Sequence, residues 1–164
     1  MFAKRDQFDT AYRYLEKALI EVPNNFISVY NLSLILTAIG RYEESISLIS
    51  KFNGSKGELI QLNKILGLNY ISLNDINSLQ AKVLNKFDDN LSEKKFLRAV
   101  SKFIKSGDSK VAYELIKDLD DLNPIYQELY NNIILLLKKK IREDETRKTN
   151  THIRMSRGFK VFSA

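Results

Sequence analysis

Three stretches of this chain carry residue types that could do chemistry, and each falls short of it on inspection. Asp118 and Asp120 are spaced as the first ligands of a calcium loop are, with Asp121 beside them. The sixth position of such a loop would be Asn123 and the twelfth Leu129, where a turn-forming Gly and a bidentate Glu belong. The cluster reads as a solvated helix end. The run "NGSKGEL", residues 53–59, has two glycines but no Gly-Lys-Ser/Thr ending, so it lacks the Lys and hydroxyl that complete a phosphate cradle. It reads as a loop between helices. The single histidine, His152, lies in a basic stretch, away from any set of partners for a Ser-His-Asp site or a His-rich metal site. With no cysteine, disulfides, thiolate nucleophiles and Cys-ligated zinc or iron–sulfur clusters are excluded. The expectation is a non-enzyme with no metal and no cofactor.

The remaining chemistry is electrostatic, and it is localised. The net charge is +6, yet residues 1–137 hold equal numbers of basic and acidic residues, while residues 138–164 hold nine basic and three acidic ones. The nine are Lys138, Lys139, Lys140, Arg142, Arg147, Lys148, Arg154, Arg157 and Lys160. Interleaved with Phe159 and Phe162, they have the makings of phosphate contact with base stacking, which would be salt-sensitive and indifferent to sequence. The plainer roles for such a tail are solubility or docking on another protein.

Something must position these groups. A length of 164 residues with 44% hydrophobic content suffices for one domain with a real core, and only two prolines and six glycines leave room for long helices. The longest apolar run, residues 133–137, is far short of the roughly 18 residues a membrane-spanning helix needs. The opening "MFAKRDQFDT" has charges where a secretory signal is apolar. A cytoplasmic location is the expectation for the chain as written, and a periplasmic or membrane-anchored one if an upstream segment was trimmed.

Self-similarity organises the helices. Around Gly40 the sequence reads "NLSLILTAIGRYEESISLI", around Asn74 "ILGLNYISLNDINSLQAKVL", and around Gly107 "FLRAVSKFIKSGDSKVAYELI". Each is an apolar helix, a small-residue turn and a second amphipathic helix. Gly40, Asn74 and Asp108 are spaced 34 apart, and a one-residue deletion puts Gly107 at the turn instead. Pro23 lies 12 residues after Ala11, as Pro124 does after Ala112, and each is expected to end a second helix. Ser55 with Glu58 has capping-box spacing, and Ser92 with Glu93 can open a helix.

The pattern resembles the tetratricopeptide repeat, a 34-residue helix pair with small residues at the helix crossing and a proline after the second helix. The residues that carry the match in the first helices are Val29, Leu32, Ser33 and Leu36, then Asn63, Leu66, Gly67 and Tyr70, then Phe96, Ala99, Val100 and Phe103. In the second helices they are Ala11, Ser45 and Ala112, with Leu79 standing where a small residue belongs, so helix packing over residues 60–92 departs from the family. The resemblance implies an all-α fold, a right-handed superhelical stack of antiparallel helix pairs. Its parts are an N-terminal half repeat (1–25), three repeats (26–124), a capping helix (125–141) and a basic C-terminal tail (142–164). "GRYEESISLI" followed by a shortened repeat also looks like the tetratricopeptide proteins of bacterial tight-adherence pilus assembly.

The resemblance further implies a concave groove lined by the first helices. Its lining would be Ile27, Tyr30, Asn31 and Leu34, then Lys64 and Leu68, then Lys94, Leu97 and Arg98. Some members of the family grip a peptide carboxylate with a Lys and an Arg at the positions of Lys94 and Arg98. The companion amides are replaced here by Leu34 and Ile65, so that clamp is incomplete. The expected activity is that of a protein-binding scaffold or adaptor, its partner a peptide or helix with an apolar stretch followed by acidic residues. The alternatives are a ribonucleoprotein component that uses the tail, and a pilus or secretion assembly factor. Exposed end helices would also permit self-association.

Overall fold

The computed structural model describes the backbone of residues 2–89 and 91–162, and the side chains of residues 6–89 and 91–155. These residues form eight α-helices, two 3-10 turns and no strand. The helices are α1 (Phe2–Glu21), α2 (Phe26–Ala38), α3 (Tyr42–Ser50), α4 (Lys56–Ser72), α5 (Ile76–Lys82), α6 (Ser92–Ser106), α7 (Ser109–Ile116) and α8 (Gln127–Phe162), with the 3-10 turns at Leu84–Lys86 and Pro124–Tyr126. The fold is all-α. The chain divides into two compact units, residues 1–97 and 98–164.

The turns repeat as their residues require. Among the described residues, positive φ occurs at Gly40 (81°), Asn74 (56°) and Gly107 (71°), the three positions where the repeated segments align. A left-handed residue lets the chain reverse directly after a helix, and Gly and Asn are the residues that tolerate it. Gly40 N–H donates to Thr37 and Arg41 N–H to Leu36, and the same pair of bonds recurs 34 residues on, from Asn74 to Ile71 and from Asp75 to Tyr70. The left-handed residue of the third turn is Gly107, so the one-residue deletion is real.

Side chains cap the starts of α2, α4, α5 and α7. Asn25 accepts from Ser28 N–H, Asp75 from Ser78 N–H and Asp108 from Val111 N–H. Ser55 and Glu58 form both halves of the capping box. Pro23 follows the end of α1, but Pro124 does not end α7, which has already stopped at Ile116. Pro124 opens the second 3-10 turn instead.

Gly40 and Gly57 separate the two effects of a glycine. A Cβ would meet nothing within 4 Å at either site, so space decides neither. Gly40→Ala forces an L-residue into the left-handed region and is expected to cost about 1 kcal/mol. Gly57→Ala, inside the first turn of α4, is expected to stabilise by about 0.5–1 kcal/mol, because alanine loses less backbone entropy in a helix. Urea denaturation of the two variants should therefore move the midpoint in opposite directions.

In the first unit α1 packs on α2, α2 on α3, and both α2 and α3 on α4, which also carries α5 and the turn at Leu84–Lys86. From Leu62 to Ile71 every side chain of α4 except half-buried Lys64 is buried. A helix covered on nearly all sides belongs at the centre of a unit, and this stretch of α4 occupies that place. Leu79, the large residue at a small-residue position, is fully buried in α5, as Gly67 is in α4. Packing over residues 60–92 thus accommodates the departure from the repeat pattern.

The second unit is built on α7 and α8, which pack together. α7 buries Ser109, Ala112 and Ile116, a single stripe. The Tyr130 hydroxyl of α8 lies 2.8 Å from the Ile116 carbonyl and 3.1 Å from that of Lys117, and so serves carbonyls that the end of α7 leaves without an intrahelical donor. α8 does not end near residue 141. It continues through the basic segment to Phe162 as one helix of 36 residues, because nothing between Ile141 and Arg157 breaks a helix: there is no Pro and no Gly.

Candidate functional site

The nine residues expected to line a groove fall into two groups. Ile27 and Asn31 are exposed on α2, with Tyr30 and Leu34 half-buried beside them. In α4, Leu68 is buried and Lys64 half-buried, and in α6 both Lys94 and Leu97 are buried. The line from Leu34 through Leu68 to Lys94 is therefore largely interior packing. Arg98, in the second unit, is exposed, so Lys94 and Arg98 do not share one environment despite their helical spacing.

The buried cations have definite occupations. Lys94 Nζ donates to the Phe87 carbonyl and to the Asp89 carboxylate, both at 2.9 Å, tying the irregular segment before α6 to the helix. Lys64 Nζ lies 3.4 Å from Glu93 Oε1, and that carboxylate side chain is only 4% exposed. Charges this far from water are held by their partners rather than offered to a ligand.

Sequence reasoning missed a polar crossing inside the same unit. The Thr37 hydroxyl, the Ser45 hydroxyl and the Asn69 amide join α2, α3 and α4, with Thr37 Oγ1 2.9 Å from Asn69 Oδ1 and Asn69 Nδ2 2.9 Å from Ser45 Oγ. Ser45 Oγ lies 3.1 Å from the Ser33 carbonyl. Each hydroxyl has one proton, and one assignment uses every donor once: Thr37 to Asn69, Asn69 to Ser45, and Ser45 to the Ser33 carbonyl. The signal in the sequence is Asn69, an amide within the otherwise apolar run from Ile65 to Ile71.

Exposed aliphatic side chains flank the turn between α1 and α2. Ile20 is 81% exposed, Val22 55% and Ile27 68%. Phe26 anchors the start of α2, its ring 5.7 Å from that of Tyr30 and 5.9 Å from that of buried Phe52. Asn24 Nδ2 and Oδ1 bond the backbone of Asn53, which fixes the turn against the segment after α3. At the other end of α2, the Arg41 guanidinium sits 5.1 Å over the Tyr12 ring of α1 and pairs with Glu44. The Tyr12 hydroxyl donates to Glu16, which raises its pKa.

Of the basic residues expected in a tail, Lys138, Lys139, Lys140, Arg142, Arg147, Lys148 and Arg154 are exposed on α8, and the side chains of Arg157 and Lys160 lie outside the described residues, as do those of Phe159 and Phe162. His152 is exposed on the same helix. Asp118, Asp120 and Asp121 are exposed in the connection after α7. Among the described residues no group of three His, Asp or Glu side chains is placed to hold a metal ion, and no helix is long and apolar enough to cross a membrane. No family model, no curated protein and no solved structure matches the chain.

Proposed function

We propose that this chain is a non-enzymatic scaffold, a degenerate tetratricopeptide-like stack of helix pairs, which docks a protein segment on the open surface at the α1–α2 turn. Support for the stacked arrangement is the left-handed turn that recurs at Gly40, Asn74 and Gly107 with the register of the repeat. Docking rests on one observation: Ile20, Val22 and Ile27, all more than half exposed, flank one short turn, with Tyr30 and Asn31 next on α2. A cluster of exposed aliphatics beside an aromatic and an amide is the composition of a binding surface, where apolar contact supplies affinity and the amide sets register. Leu34 is the inner edge of this surface, and buried Leu68 lies in α4, which packs on α2.

The test compares proteins retained from source-cell lysate by the intact chain and by the Ile27→Glu and Ile20→Glu variants. A partner retained by the parent and lost with both variants should then bind the purified parent at least about 10-fold more tightly than Ile27→Glu, as loss of one buried aliphatic anchor costs about 1.4 kcal/mol or more. Equal affinity for all three proteins would sink the proposed surface.

A further inference from the structure

α1 is covered less than the helices that repeat it. Ala11, Leu15 and Ala18 stand 34 residues before Ser45, Ile49 and Phe52, and the first two stand 101 residues before Ala112 and Ile116. All five of the later residues are buried, whereas Ala11, Leu15 and Ala18 are only half-buried. The neighbours account for the difference, since α3 packs on both α2 and α4 while α1 packs on α2. α2 closes over Ser45 directly, its Ser33 carbonyl lying 3.1 Å from Ser45 Oγ. Ala11 holds the same place on its own helix and is left half-open.

The half-open side is a strip along α1. At 100° per residue, Gln7, Thr10, Ala11, Tyr14 and Ala18 fall within about 100° of arc. Tyr14, in the middle of the strip, is 73% exposed, and a shallow depression of about 390 Å³ runs along Asp6, Gln7, Thr10, Ala11 and Tyr14. The Thr10 hydroxyl is satisfied within the helix by the Asp6 carbonyl at 2.9 Å. Charges line one edge: Asp6, Arg13 and Lys17 lie within about 40° of one another, all exposed, and none is in an ion pair among the described residues.

The order of those charges says what fits. The acid is toward the start of α1 and the cations toward its end, with Asp6 and Lys17 about 16 Å apart along the axis. A covering helix must therefore carry a cation where this one carries Asp6 and an acid where it carries Lys17. α1 itself does so when reversed. In an antiparallel pair of α1 helices with the two-fold axis level with Tyr12, Tyr14 of each copy comes level with Thr10 of the other, and Lys17 lies within one residue of the level of Asp6. The small Ala11 beside Thr10 lets the two helices approach closely. A parallel pair would instead set Arg13 against Arg13 and Lys17 against Lys17. We propose that this strip is a self-association surface, on which two copies of the chain pair their α1 helices antiparallel and each supplies the cover that the other lacks. Such a contact uses the same patch on both chains and closes at two. Ile20 of the docking surface lies about 120° round the helix from Tyr14, so this inference is independent of that reading.

The experiment is sedimentation equilibrium of the full chain from about 5 to about 500 µM, because a contact one helix long belongs at the weak end of interface sizes. The mean mass should rise from 19.0 kDa toward twice that value. Tyr14→Glu, at an exposed position, should weaken the association at least about 10-fold. Asp6→Lys and Lys17→Glu each set like charges against one another and should each weaken it about 5-fold. Mixed in equal amounts, those two single variants should associate as the parent does, since every edge pair is then of opposite sign. Circular dichroism checks that each variant keeps its helices. The proposal is overturned if the mass stays at 19.0 kDa throughout, which would leave the strip to a helix of another protein or to none. It is equally overturned if Tyr14→Glu or the single reversals associate like the parent, or if the mixture gains nothing over its components.

Discussion

Glu93→Ala is expected to destabilise the protein by about 3 kcal/mol, lowering the urea midpoint by roughly 1–2 M. Glu93 is 3% exposed, and its carboxylate faces the Lys64 ammonium across 3.4 Å. Truncation removes the carboxylate that faces the Lys64 ammonium, and breaking a buried pair from one side costs about 3–5 kcal/mol. The lower end applies because the long Lys64 stem lets its head move toward water. Lys64→Met combined with Glu93→Leu removes both charges and should lie within about 1 kcal/mol of the parent. The discriminating quantity is the difference between the single and the double variant. A single variant as stable as the parent would mean that the interior does not depend on this pair.

Asn69→Ala is expected to cost about 2–3 kcal/mol, again read from urea denaturation followed by helical circular dichroism. The substitution opens a cavity at a fully buried position and deletes two hydrogen bonds that link α4 to α2 and α3. The hydroxyls are not stranded, since Thr37 and Ser45 each lie near the Ser33 carbonyl, at 2.8 and 3.1 Å. That fallback holds the cost below what a stranded buried polar group would add. Asn69→Leu fills the volume without the bonds, and it should be less damaging than Asn69→Ala if the cavity is the larger part. If alanine and leucine are equally harmful, the hydrogen bonds are the larger part.

The helices and the turns between them were legible in the sequence because few residues can hold a left-handed turn, and Gly40, Asn74 and Gly107 are such residues at a repeated distance. The cap at Ser55 was legible for the same reason, as only certain side chains reach the orphan amides of a helix start. The groove was less so. Assigning Lys64, Leu68, Lys94 and Leu97 to it assumed that every first helix presents an open face, whereas α4 is covered on all sides. Burial is a property of what packs against a helix, and the short α5 followed by the turn at Leu84–Lys86 gives no periodic sign of where it packs. Lys94 shows the difficulty: its partners are a carbonyl in an irregular segment and a nearby Asp, neither of which announces itself in a pattern. The end of the capping helix was misplaced because the change from apolar to charged residues after Leu137 was read as a boundary. For a helix, charge is no obstacle, and α8 continues through it.

The central position of α4 has a consequence for how the first unit opens. In an array whose elements touch only their neighbours, the ends can melt away one at a time. A helix shared by α2, α3 and α5 removes that option, since α4 cannot leave without undoing all three. The amide protons of residues 62–71 then exchange with water only when the whole unit opens, while α1, which is packed on α2, can detach and return many times in the interval. A partner docked at the α1–α2 turn, as proposed, would meet the portion of the unit with the most freedom to adapt, seated on the portion with the least.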